Sequence, residues 1–377
     1  MNTTLLGVIA GILIFWTVLY ALFGRREKES EEGLSVDMFI AMWRTKRLLG
    51  FIDRLARKNR RFWRVYGDVG IALGFMGMAY VFYALLKTAV QTVSGGGGGG
   101  VQLVIPGLTI PLWYGLVGLA VVMIVHELSH GVTARADGLP LKSVGLVLLA
   151  VIPGAFVEPD EEALSKAPLR TRLRVYGAGS LANVGTALVT LLLLTFAVSP
   201  LLQPSGVLVS GVLENGPSYG ILQKGDVIVA MDGTTIKTVD EFIAFMNRTK
   251  PGQVVTLTVL RNGRELKLTV RLGEHPDRPG KGYLGIYPAQ HVVSKIGMDW
   301  LVLPLFFSLY WVYVLNIGIG LMNLFPLVPL DGGRMLDDVF KHYLPERIAK
   351  PVRYFTIGAG LFLLGLNLIP AVLNLFG

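Results

Sequence analysis

Residues 116–132 read LVGLAVVMIVHELSHGV, an apolar run broken near its end by His126, Glu127 and His130. With its flanks the run covers about residues 111–134, enough for the ~20 residues that cross a hydrocarbon layer of about 30 Å. Histidines at i and i+4 leave one face of a helix a turn apart, so both imidazoles can reach one metal ion, and Glu127 between them can address a water held there. An ionised group at the centre of a membrane helix costs about 2.5–3.5 kcal/mol on insertion scales, so groups of this kind in such a run point to function. At ~1.5 Å rise per residue, His126 lies about 13 Å from the polar end near Arg135, which places the chemistry inside the lipid layer.

The rest of the chain agrees with a membrane reading. Of 377 residues, 52% are hydrophobic and 16% charged, more apolar than a soluble core of this length uses. Six stretches have the length to span, near residues 4–23, 68–93, 111–134, 175–199, 300–325 and 352–376. Lys and Arg clusters at 25–64, 166–174 and 334–353 fall in alternate loops, which predicts those loops on the cytoplasmic side, with both termini outside. The net charge of +9 sits largely beside apolar runs, so the basic partner is a lipid bilayer and not nucleic acid. Residues 5–23 have no basic residue before them and no small-residue cleavage site, which predicts a retained helix. Phe39, Met42, Trp43, Leu49, Ile52 and Leu55 recur among basic residues, and their near-helical spacing predicts an amphipathic helix on the membrane surface. Gly95 to Gly100 read as a flexible connector.

Residues 203–275 change period. Alternating strands are expected at Val207–Val212, Val227–Met231, Val254–Arg261 and Glu265–Leu272, with turns at Asp232-Gly233 and Asn262-Gly263 and a helix over Val239–Thr249. Leu222 to Ile236, LQKGDVIVAMDGTTI, resembles part of a PDZ domain. The fold class predicted is an α-helical polytopic membrane protein of about six transmembrane helices with an inserted small β-rich, PDZ-like domain. Its parts are 1–67 (first helix and basic surface segment), 68–200 (membrane domain with HELSH), 203–275 (PDZ-like) and 297–377 (membrane domain with LDGG).

Two histidines do not complete a catalytic zinc site, which usually has three protein ligands and an open position. The chain has no cysteine, and His275, His291 and His342 lie in loops or the insert, so the third ligand has to be a carboxylate. Asp331 stands out in NLFPLVPLDGGR, Asn323 to Arg334, after a helix broken by Pro326 and Pro329, at the depth of HELSH. A carboxylate capping the next helix is the other reading of Asp331.

HELSH in one membrane helix and LDGG after another, together with GAFVEPD at 154–160, GAGSLAN at 177–183 and the PDZ-like insert, resemble the site-2 protease family of intramembrane zinc metalloproteases over about Val101 to Val352. The resemblance implies one Zn²⁺ held by His126, His130 and Asp331, Glu127 as catalytic base, and Asn316 and Asn323 binding substrate or the oxyanion. Ser180 stands where that family commonly has proline, which leaves the role of Asn183 open. The implied activity is hydrolysis of peptide bonds in or near transmembrane segments of membrane-protein substrates, in a multi-pass protein of the cell membrane. The active site would face the cytoplasmic side and the PDZ-like domain the outside, where it screens substrates by binding tails or excluding bulky ectodomains. Residues 144–157 are expected to form either a re-entrant hairpin offering an edge to extended substrate or a buried strand. The competing class is an inactive membrane scaffold that binds partners through its PDZ-like domain.

Overall fold

The computed structural model describes residues 3–24, 32–94, 101–150 and 152–376. The glycine run expected to be a connector, and the basic residues of 25–31, fall outside these. In chain order the elements begin with α1 (Thr3–Phe23), β1 (Gly33–Asp37), β2 (Ile40–Thr45), α2 (Leu49–Lys58) and α3 (Arg60–Val93). There follow α4 (Leu112–Ala136), β3 (Leu141–Leu149), β4 (Ile152–Pro159), α5 (Glu161–Lys166) and α6 (Leu169–Leu193). Next come β5 (Leu202–Val212), β6 (Val227–Met231), β7 (Thr234–Thr235), α7 (Val239–Met246), β8 (Val254–Arg261) and β9 (Arg264–Arg271). The chain ends with β10 (Gly273–His275), β11 (Arg278–Tyr283), β12 (Ile286–Ser294), α8 (Asp299–Met322), α9 (Asp331–Tyr343) and α10 (Glu346–Phe376). Two compact units result, residues 1–192 with 307–377, and residues 193–306.

In the first unit, α3, α4, α6, α8 and α10 supply five helices long and apolar enough to cross a membrane. The sixth expected span is helical as α1, Thr3–Phe23, over 21 residues. Glycines set how closely the helices pack: Cβ atoms added at Gly70 and Gly177 would each lie within 3 Å of the other residue's backbone, so α3 and α6 touch main chain to main chain. At one end of these helices, Asp68 holds Arg170 (2.9 Å) and Arg174 (2.8 Å), while Asp137 holds Arg64 (2.9 Å) and Arg174 (3.3 Å), a network joining α3, α6 and the end of α4.

The expected surface helix over 39–58 is corrected. Residues 33–45 form the β1–β2 hairpin, turning at Met38-Phe39 with Phe39 at φ +60°, and only Leu49–Lys58 is helical. Nor does α2 present its whole apolar face to lipid: Ile52 and Ala56 are buried with Val132 and Ala136 of α4 and Val144 of β3, and Asp53 pairs with Arg135 (Nη2–Oδ2 2.7 Å). The hairpin extends an antiparallel sheet in the order β1-β2-β3-β4, so residues 144–157 do form a hairpin, and β4 ends the sheet.

The second unit is an antiparallel sheet in the order β12-β5-β6-β8-β9, with β7 on β6 and a separate β10–β11 pair. Inward residues alternate along β5 and β8 (Val207, Val209; Val255, Leu257, Val259), an irregularity between Ile228 and Ala230 lets both Ile228 and Met231 of β6 join them, and all pack with Phe242 of α7. Asp232 and Gly233 (φ +44° and +79°) and Asn262 and Gly263 (φ +51° and +76°) make the two expected tight turns. The domain read as 203–275 continues to Ser294, because β12 pairs with β5; Pro288 and Gly-rich flanks had hidden that strand's alternation.

Within this core, Asp226 (side chain 1% exposed) accepts from Arg261 through both oxygens at 2.8 and 2.7 Å and from the Gln223 N–H at 2.9 Å. Burial pushes the Asp226 carboxyl up, but Arg261 and the Gln223 amide outweigh it and hold the carboxyl below its ordinary value. A depressed folded value means that the stabilisation is complete above about pH 4 and fades as pH falls through the folded value. Asp226→Ala, which leaves Arg261 half-buried and unpaired, should cost about 3 kcal/mol at pH 7. Denaturant melts of residues 193–306 should show this loss shrinking below pH 4; a pH-independent difference would contradict the pairing.

Candidate active site

α4 brings His126 and His130 to one face of the helix, 7% and 9% exposed. The two Nε2 atoms lie 3.0 Å apart, and Asp331 Oδ2 lies 3.2 Å from the first and 3.3 Å from the second. The loop through Pro326 and Pro329 delivers Asp331, and the two glycines after it explain why the turn reads LDGG. A Cβ at Gly332 would sit 2.1 Å from Leu324 O, and one at Gly333 would sit 2.3 Å from the Val328 nitrogen, while the Gly332 N–H donates to Asn323 O at 2.8 Å. Any side chain there would push α9, and Asp331 at its first turn, away from α4. Asp331 makes no side-chain cap: the N-cap residue is Leu330, without a side-chain hydrogen bond.

Hydrogen bonds behind the ligand atoms point them inward. His130 Nδ1 donates to Val175 O at 2.6 Å, so its Nε2 lone pair is left for the centre. Asn183 Nδ2 lies 3.0 Å from His126 Nδ1, and Asn183 Oδ1 is buried without a partner. A half-turn of that amide lets Oδ1 accept Nδ1–H and turns the His126 Nε2 lone pair inward as well. Asp331 Oδ2 is buried with no hydrogen-bond donor. Three acceptors within 3.0–3.3 Å repel one another unless a cation lies among them, and two imidazoles plus a carboxylate are a zinc ligand set, so the residues present fit the ion. A Cβ at Gly179 of α6 would fall 2.4 Å from His130 Nε2 and 2.6 Å from His126 Cε1, so only glycine leaves the pair its room.

A cavity of about 630 Å³ opens on this group and is lined by Glu127, Asn323, Arg44, Phe156 and Glu158 among others. Glu127 Oε2 accepts the Val157 N–H of β4 at 3.0 Å. The structure thus brings His126, Glu127, His130, Asp331 and Asn323 together, but not Asn316, which is fully buried in α8 and donates to Val312 O at 2.7 Å. Sequence reasoning left Asn183 open and did not single out Gly179 or Arg44. The GAGSLAN stretch held the signal for the first two, since small residues on a helix mark close approach.

A histidine pair and a carboxylate thus meet among long apolar helices in an arrangement that can hold a metal ion. The model of Peptidase family M50 matches residues 114–367, and the chain belongs to that family of membrane zinc metalloproteases, with the site-2 protease resemblance of its motifs. An uncharacterised protein of Methanocaldococcus jannaschii is 27% identical over 92% of this chain and 88% of its own length. A membrane-bound transcription factor site-2 protease homologue of Arabidopsis thaliana is 31% identical over 34% of this chain and 26% of its own. A Fusobacterium nucleatum protein named as a zinc metalloprotease is 24% identical over 59% and 85%. Among solved structures, the PDZ domain of an SdrC-like protein from Listeria innocua is 30% identical over 23% of this chain and 96% of its own, at a TM-score of 0.21.

Two substitutions test the geometry through metal affinity. Gly179→Val should drive the imidazoles apart and reduce zinc retention to below a tenth of wild type. Asn183→Leu, nearly isosteric but unable to accept, should weaken zinc binding about 10- to 100-fold, the usual range for partners of ligating histidines. Competition with a chelator measures both, and wild-type affinity in either variant would contradict the placement.

Proposed function

We propose that the chain is an intramembrane zinc metalloprotease that hydrolyses peptide bonds in or near transmembrane segments of membrane proteins. The convergence of His126, His130 and Asp331 with Glu127 beside them carries this reading. In it the three residues hold one zinc ion, which when bound lowers the pKa of a water toward about 7 and polarises the scissile carbonyl. Glu127 takes the proton from the attacking water and returns it to the leaving amine. Asn323, on the cavity wall, donates to the oxyanion; Asn316, buried and committed to its own helix, has the weaker case.

A helical peptide bond is closed to attack, so the substrate has to unwind, and its freed backbone groups need partners in the lipid layer. The β4 edge supports how that is met. Leu149 pairs with Ile152, so Pro153, Ala155, Val157 and Pro159 are the positions whose backbone faces away from β3. Two of the four are prolines without an N–H, and the Val157 N–H is held by Glu127, which leaves the Ala155 N–H and the outward carbonyls to pair with an extended substrate. In the same reading the metal site lies toward the cytoplasm, and the PDZ-like domain, outside, screens substrates.

Purified Glu127→Gln protein should retain about one zinc per chain and cleave a model transmembrane substrate at less than a thousandth of the wild-type rate. Wild-type rates in that variant would refute the role of Glu127.

A further inference from the structure

Arg44 lies on β2, outside the residues that match the family model, yet it lines the cavity that holds the two histidines and Asp331. The register sets Arg44, Gly145 and Phe156 in one row across β2, β3 and β4. Gly145 has no side chain to separate its neighbours: a Cβ there would lie 2.6 Å from Phe156 Cζ, so the ring leans back over β3. The Arg44 guanidinium reaches toward it, with Cζ 6.0 Å from the ring centroid. Arg44 Nη1 donates to Ser35 Oγ at 2.9 Å and Nη2 lies 3.3 Å from Met42 Sδ. That uses two of five N–H donors, and among the described residues no carboxylate pairs with Arg44. The nearby acid on the same sheet face, Glu158, is engaged by Ser143 at 2.6 Å.

The part-buried guanidinium, aligned by Ser35 and Phe156, keeps three N–H donors for a further partner in the cavity. A planar guanidinium recognises a carboxylate through paired N–H bonds. We propose that Arg44 binds an acidic side chain of the substrate, on the extended stretch that flanks the cleaved bond, and so sets a charge preference near the cleavage site. This rests on the protease reading in that the cavity takes a peptide, but it is read by binding and so can fail separately.

The test uses full-length, zinc-loaded Glu127→Gln protein in neutral detergent. Labelled apolar peptides of about 25 residues carry Glu, Gln or Lys at one position, walked along the sequence. Anisotropy should show Glu binding about tenfold tighter than Gln at one or two adjacent positions. Arg44→Gln should remove that preference, Arg44→Glu should transfer it to Lys, and Arg44→Lys, which keeps the charge, should retain part of it and serves where Arg44→Gln does not fold. Equal Glu to Gln ratios at every position with and without Arg44 would overturn the proposal. So would an Arg44-dependent affinity for phosphatidylglycerol with no peptide preference, which would assign the cation to lipid. Failure of the Glu127-containing protein to cleave any of these peptides would count against the protease reading and not against the Arg44 preference.

Discussion

Two imidazole nitrogens and a carboxylate oxygen face each other across 3.0–3.3 Å in a buried place. Lone pairs so arranged are mutually repulsive, and the low dielectric around them enlarges the repulsion. The two rings are nevertheless held from behind, one by Val175 O and the other flanked by Asn183, and the first turn of α9 carries the aspartate in against them. An arrangement of acceptors that repel one another, with both imidazoles supported from behind, is stabilised by a cation among them.

Close approach makes this possible. The ligands come from helices distant in sequence, and they meet because backbone replaces side chain at the contacts: Gly70 against Gly177, Gly179 against the histidine rings, and Gly332 and Gly333 against the loop of residues 324–328. In a lipid setting, where burial of apolar surface does not drive helices together, such contacts and the ion pairs of Asp68 and Asp137 carry the packing. The sheet of β1–β4 adds what helices cannot, a row of backbone groups facing out beside Glu127.

The parts legible in the sequence were those with a short-range signature. HELSH fixes its own geometry through helical spacing, the apolar runs announce their length, and Asp-Gly and Asn-Gly mark turns that no other residues make so readily. Asp331 could be singled out by elimination, but its meeting with His126 depends on packing between helices some 200 residues apart, which no local pattern encodes. The β1–β2 hairpin was read as helix because its turn places Phe39, and not glycine, at positive φ, and because Met42 and Trp43 fit either period over so short a stretch. Arg44 was passed over for the same reason: only the register across three strands shows that it faces the cavity. Asn183 needed the geometry too, since an amide is informative only once the nitrogen beside it is known.

His126, His130 and Asp331 are placed to share one ion. X-ray absorption at the zinc edge of purified protein tests this most directly. It should show about one zinc per chain in a four-coordinate shell of light atoms at about 2.0–2.1 Å, with the outer-shell scattering of two imidazoles, and with one imidazole lost in His130→Ala. Protein that retains no zinc, or zinc whose shell contains fewer than two imidazoles, would contradict it.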